Sequence, residues 1–179
     1  MIKEELIQHN AKKICELHDM VHTTYRRMRE GQDAKGEWHE ACRRFHEDYD
    51  QLAFPGGITE GMRRLAEHEL GAIESAVVFL EVDPFFFRSG YIKEDLLERL
   101  RWVPLDEDQK MHLQQVIVAR IRDPKNRREF RRYCRLAPFV TDVDFEKEIS
   151  RLAGPSGTKP KRALWVLEHI RQGVPKKKV

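Results

Sequence analysis

A chain of 179 residues, 40% apolar and 35% charged, is long enough to bury a core, and no apolar run in it approaches the roughly 20 residues of a membrane span. With 33 Lys+Arg against 30 Asp+Glu it lacks the basic excess of a dedicated nucleic-acid binder. Cys15, Cys42 and Cys134 are odd in number and form no CxxC pair, which excludes a disulfide framework and fits a reduced, cytoplasmic setting. The opening MIKEELIQHN carries charge where the apolar part of a secretory signal would lie, so the expected location is cytoplasmic.

The first pattern in the chain is helical. Ile7, Ile14, Leu17, Val21 and Met28 recur at heptad spacing from Lys3 to about Glu30, and Gly31 reads as the C-cap. After a loop over residues 32–36, Trp38, Cys42, Phe45, Tyr49 and Leu52 mark one face of a second helix over 37–52. So short a loop makes the two helices antiparallel neighbours. Residues 53–57, Ala-Phe-Pro-Gly-Gly, then read as a boundary.

Beyond it, Thr59 is positioned to cap a short helix carrying Met62 and Leu65. A helix over 72–82 is apolar almost all round and should be the central buried one. Further helices are expected over 91–102, over 106–122 with Asp106 and Gln109 as a capping box, from Asp123 to just before Pro138, from Thr141 or Asp142 to about Leu152, and over 163–171. Residues 175–178 read as a frayed basic tail. No alternating strand pattern occurs. The fold class is all-α: an N-terminal helical hairpin (1–53), a helical core (58–153), and a linker with a short helix and tail (154–179).

Asp83-Pro84 and Asp123-Pro124 stand forty residues apart, each after an apolar helical segment. Asp suits an N-cap and Pro the first helical position, so each pair should close one helix and start the next in the same phase. With this period, residues 72–137 resemble HEAT and armadillo repeats, and the resemblance implies a short array of stacked helix pairs, with an irregular bundle as the alternative.

Four constellations bear on function. Arg127, Arg128, Arg131, Arg132 and Arg135 crowd one helix, the first, third and fifth forming one stripe. Such a ridge can grip the carboxylates of a partner bidentately or track phosphates, unless Glu94, Asp95 and Glu98 neutralise it from within the chain. Phe85-Phe86-Phe87 is too dense to be wholly buried; two rings are expected in the core, and a core role alone is the first reading, with Phe86, beside Arg88, as an aromatic anchor for a partner as the second. Cys15, His18 and His22 lie on one helix and His39, Cys42 and His46 on the next, sets that would suit zinc if brought together. They read instead as polar flanks around a core thiol, with no metal or other cofactor. Arg63-x4-His68 resembles the Arg-x4–6-His spacing of HEPN-type ribonucleases, also all-α, which implies an enzymatic alternative. No glycine-rich phosphate loop, HExxH or nucleophile elbow is present.

These features point to a non-enzymatic helical protein that binds another protein with an acidic surface, in an adaptor or toxin-neutralising immunity role. Nucleic-acid binding through Arg127–Arg135 is the second reading, and a HEPN-like or metal-binding protein the third.

Overall fold

The computed structural model describes residues 3–123, 125, 127–156 and 159–174; Pro124 and the expected tail at 175–178 lie outside them. All regular structure among the described residues is helical: α1 (Lys3–Arg27), α2 (Gln32–Ala53), α3 (Ile58–Ala66), α4 (Leu70–Val82), α5 (Ser89–Leu100), α6 (Glu107–Arg122), α7 (Phe130–Val140), α8 (Val143–Ala153) and α9 (Pro160–Gln172). None of these helices is long and apolar enough to cross a membrane. The chain divides into two compact units, Met1–Ile92 and Lys93–Val179.

In the first unit α1 and α2 form the hairpin. The Tyr25 ring meets Trp38 at 5.8 Å and His18 meets Phe45 at 5.7 Å, so residue number falls on one helix as it rises on the other. Ile7, Ala11 and Ile14 are buried on α1, and Ala41 and Phe45 on α2. Gly31 is not the cap of α1 but the residue before α2, which starts at Gln32 and takes Gly36 into its first turns. The connection thereby shrinks to residues 28–31, with the Lys35 N–H already bonded to the Gly31 carbonyl at 3.2 Å.

The Ala-Phe-Pro-Gly-Gly stretch ties α3 to α2 instead of separating sub-domains. Asp50 of α2 accepts from the Thr59 N–H (3.3 Å) and hydroxyl (3.0 Å), so it supplies the acceptor at the start of α3 that Thr59 was expected to supply. Gly56 and Gly57 turn the chain at φ 82° and 88°. Phe54, 1% exposed, lies so close to α3 that a Cβ on Gly61 would sit 2.4 Å from its ring. Its other side meets Phe79 of α4 at 5.5 Å. In α4 itself, Ala72, Ile73, Ser75, Ala76, Val77, Phe79 and Leu80 are buried. Apolar residues around the whole helix and burial around most of it are the same fact seen twice.

Asp83 closes α4 in the left-handed region, φ 51°, its N–H reaching the Phe79 carbonyl. It does not start the next helix, since residues 84–88 intervene and α5 begins at Ser89. Ser89 holds that intervening turn, accepting from the Phe86 N–H at 3.2 Å and donating its own N–H to the Phe86 carbonyl at 3.0 Å.

In the second unit the Asp106–Gln109 capping box opens α6, with both reciprocal bonds present at 2.7 and 3.1 Å. Asp123 ends α6, and α7 begins only at Phe130, so Asp123 also closes a helix without starting one. Helix α7 runs past Pro138 to Val140. Proline in a helix interior removes the bond to the carbonyl four residues back. Here the loss falls in the last turn, which burial of Leu136, Ala137 and Val140 holds in place. Asp142, and not Thr141, caps α8 through the Phe145 N–H at 2.8 Å. Gln114 of α6 ties that cap down, donating at 2.7 Å to both the Val140 carbonyl and Asp142 Oδ2. Helix α9 packs on α7 and α8, burying Ala163, Val166, Leu167 and Ile170.

The Phe145 N–H, and after it the Gln114 amide, hold the Asp142 carboxyl below its usual value. A carboxyl whose folded value lies below its unfolded one stabilises the fold above about pH 4 and loses that contribution as pH falls through the folded value. Thermal melts between pH 5 and pH 2 are therefore expected to show an acid-side loss of stability. Asp142→Asn, which keeps a capping oxygen but cannot titrate there, should flatten part of that slope.

Candidate functional site: the arginine face of α7

Helix α7 turns Phe130, Tyr133, Cys134, Leu136, Ala137 and Val140 inward, which leaves positions 131 and 135 facing out one helical turn apart. The five arginines divide into three situations. Arg127 and Arg128 precede the helix, so the expected single stripe through 127, 131 and 135 is broken at its first member. The Arg127 guanidinium is largely buried against Asp123 at 3.1 Å, with Glu129 at 3.9 Å.

Arg128 and Arg132 reach carboxylates of α5, Nε of the first to Glu94 at 2.7 Å and a terminal nitrogen of the second to Glu98 at 2.9 Å. Asp95, the third carboxylate expected to neutralise the ridge, makes no ion pair among the described residues. Arg131 and Arg135 are exposed, and no carboxylate among the described residues pairs with either. All five arginines line one open groove together with Glu94, Phe130 and Trp165. Trp165 is 40% exposed, and the Lys161 ammonium lies over its ring at 5.5 Å.

Arg162, which local spacing does not single out, organises the segment leading into this face. From the first turn of α9 its guanidinium donates to the carbonyls of Arg120 (3.1 Å), Asp123 and Lys125, while the same group lies 5.1 Å above the Phe130 ring. It collects orphan carbonyls at the end of α6, where positive charge is favoured. Asp123 adds a second tie: the Lys125 N–H first, then Arg127 and Arg120, hold its carboxyl below the usual value. Asp123, Lys125 and Arg127 are thus tied from both sides just ahead of α7.

In the first unit the phenylalanine run is placed differently from expectation. Phe86 is 6% exposed, edge-on to Tyr49 and to Phe79 at 6.4 Å each, and is a core residue, not a surface anchor. Its neighbours project outward instead, Phe85 at 81% and Phe87 at 44% exposure. The run lies in the turn between α4 and α5, flanked by Asp83 and Arg88, both at positive φ. Arg88 is exposed and its guanidinium sits 5.4 Å over the Tyr91 ring.

The two histidine and cysteine sets do not gather, and among the described residues no group of three or more ligating side chains could hold a metal. Cys15 turns its Sγ to the Phe85 carbonyl at 3.6 Å, its thiol pushed up by burial and then by Asp19 and Glu16. His39 lies against Trp38 and His46 against Phe45 on α2. His18 and His22 come together, Nε2 to Nε2 at 3.3 Å. Burial pushes the Cys134 thiol up to about 12. Arg63 is held on α3 by Glu60 and Glu67, while His68 lies past the end of that helix at φ 63°, and no hydrogen bond joins the two.

Compared with protein-family models, curated proteins and solved structures, the chain matches none.

Proposed function

We propose that this is a non-enzymatic, macromolecule-binding helical protein, and that its partner is another protein presenting carboxylates to the outward face of α7. The observation carrying this reading is the pair Arg131 and Arg135, exposed, one turn apart and without carboxylate partners among the described residues. Guanidinium forks bind carboxylates bidentately, and such charge-assisted pairs are about twice as strong as neutral hydrogen bonds. One observation favours an acidic protein surface over a nucleic acid. Lys161 already covers the Trp165 ring, which is therefore not a free platform for a base. Adaptor and toxin-neutralising roles both belong to this reading.

The test uses two probes, a helical peptide carrying glutamates four residues apart and a single-stranded oligonucleotide, titrated by fluorescence anisotropy. The peptide is expected to bind. Arg131→Glu should abolish most of that binding while changing stability by less than about 1 kcal/mol, the scale of exposed charges. Oligonucleotide binding that falls with salt at a log–log slope of about −0.7 per phosphate would establish the nucleic-acid reading instead. Peptide binding indifferent to Arg131→Glu would refute the proposal.

A further inference from the structure

We propose that His18 and His22 form a two-point chelate for a borderline divalent cation, zinc foremost, on the exposed side of α1. This reverses the expectation of no metal drawn from the sequence, and it is independent of the arginine face. The two Nε2 atoms lie 3.3 Å apart, one helical turn between them. Two zinc–nitrogen bonds of about 2.05 Å at the tetrahedral angle span about 3.3 Å, so the spacing of the two donors matches the bite of a single ion.

The donor pair is also held. The His18 ring is stacked on Phe87, 4.6 Å between centroids and 23° between planes, and Phe45 lies 5.7 Å away. That packing fixes the ring that a free surface histidine would leave to rotate. His22 is exposed and meets His18 edge-on at 4.5 Å, so the remaining coordination positions open to water. Imidazole donors without a carboxylate select zinc, copper or nickel over magnesium or calcium. Cys15, one turn before His18, is not a third ligand here. Its sulfur is turned to the Phe85 carbonyl, and metal binding needs a thiolate where burial favours the thiol. In the metal-free pair one ring donates its N–H to the other. Moving that proton to Nδ1 through solvent frees both Nε2 lone pairs for the ion, a change of tautomer with no net change of charge on the protein.

Isothermal titration of tag-free full-length protein with zinc chloride tests this. One ion per chain is expected. His22→Ala should bind about 100-fold more weakly, because loss of the second donor removes the advantage of intramolecular closure. His39→Ala, on the neighbouring helix, should leave the affinity unchanged. His22 is exposed, and an unaltered far-ultraviolet spectrum for the variant keeps the comparison free of unfolding. Copper(II) gives an independent readout: its paramagnetic resonance spectrum should show coupling to two nitrogens in the native chain and one in His22→Ala. Absence of zinc binding, or zinc affinity untouched by His22→Ala, overturns the proposal.

Discussion

Leu80→Ala is expected to lower the free energy of unfolding by about 2–5 kcal/mol, through lost transfer energy plus the cavity left behind. Leu80 is 0% exposed on α4, a helix that buries Ile73, Ala76, Val77 and Phe79 beside it and packs against α1 and α3. With neighbours on so many sides the site cannot collapse around an alanine, which places the cost in the upper part of that range. Leu80→Met, which nearly conserves volume, should cost less than about 1.5 kcal/mol. Urea unfolding curves separate the cases, and an unmoved midpoint for Leu80→Ala would show that α4 is not the centre of its unit.

The second large effect belongs to Arg162. Arg162→Ala is expected to cost about 2–4 kcal/mol, because three carbonyls lose one charged donor and those of Arg120 and Asp123 are only partly open to water. In a chain of this size that corresponds to a fall of roughly 4–16 °C in Tm. Arg162→Lys should recover only part, since an ammonium is a point charge and cannot fork across carbonyls or lie flat on Phe130. A Tm indifferent to Arg162→Ala would mean that Asp123 and its partners hold the turn unaided. If the clamp does position the start of α7, the alanine variant should also weaken peptide binding at Arg131, even at temperatures where it stays folded.

What could be read from the sequence was what local chemistry dictates. The Asp106–Gln109 box and the all-apolar stretch of α4 involve only neighbours along the chain, and both appear where expected. Glu94 and Glu98 were nameable as counter-ions of the arginines because residues one turn apart on one helix meet residues one turn apart on another. The misplaced features are those settled by tertiary packing. Gly36 and Pro138 break helices by propensity, yet both lie inside one, because the packing of the surrounding turns outweighs a cost of one or a few kcal/mol. Which phenylalanine of three is buried is settled by a turn whose positive φ values fall at Asp83 and Arg88, neither a glycine, so nothing in the letters announces it. Arg162 gave no signal because its acceptors are backbone atoms some forty positions earlier, and a carbonyl has no sequence signature. The 3.3 Å approach of His18 and His22 comes with the stacking of His18 on Phe87, which lies in a turn distant in sequence.

The seam between the two compact units has a consequence for how such a chain can be inherited. It falls between Ile92 and Lys93, inside α5, so four residues of that helix (89–92) belong to one side and eight (93–100) to the other. An isolated helix shorter than about 12–15 residues is marginal in water. Neither fragment would keep its helical form once severed. The halves are therefore not interchangeable cassettes. Recombination that borrows one of them must carry α5 whole, and an insertion tolerated in an ordinary interdomain linker would here break a helix.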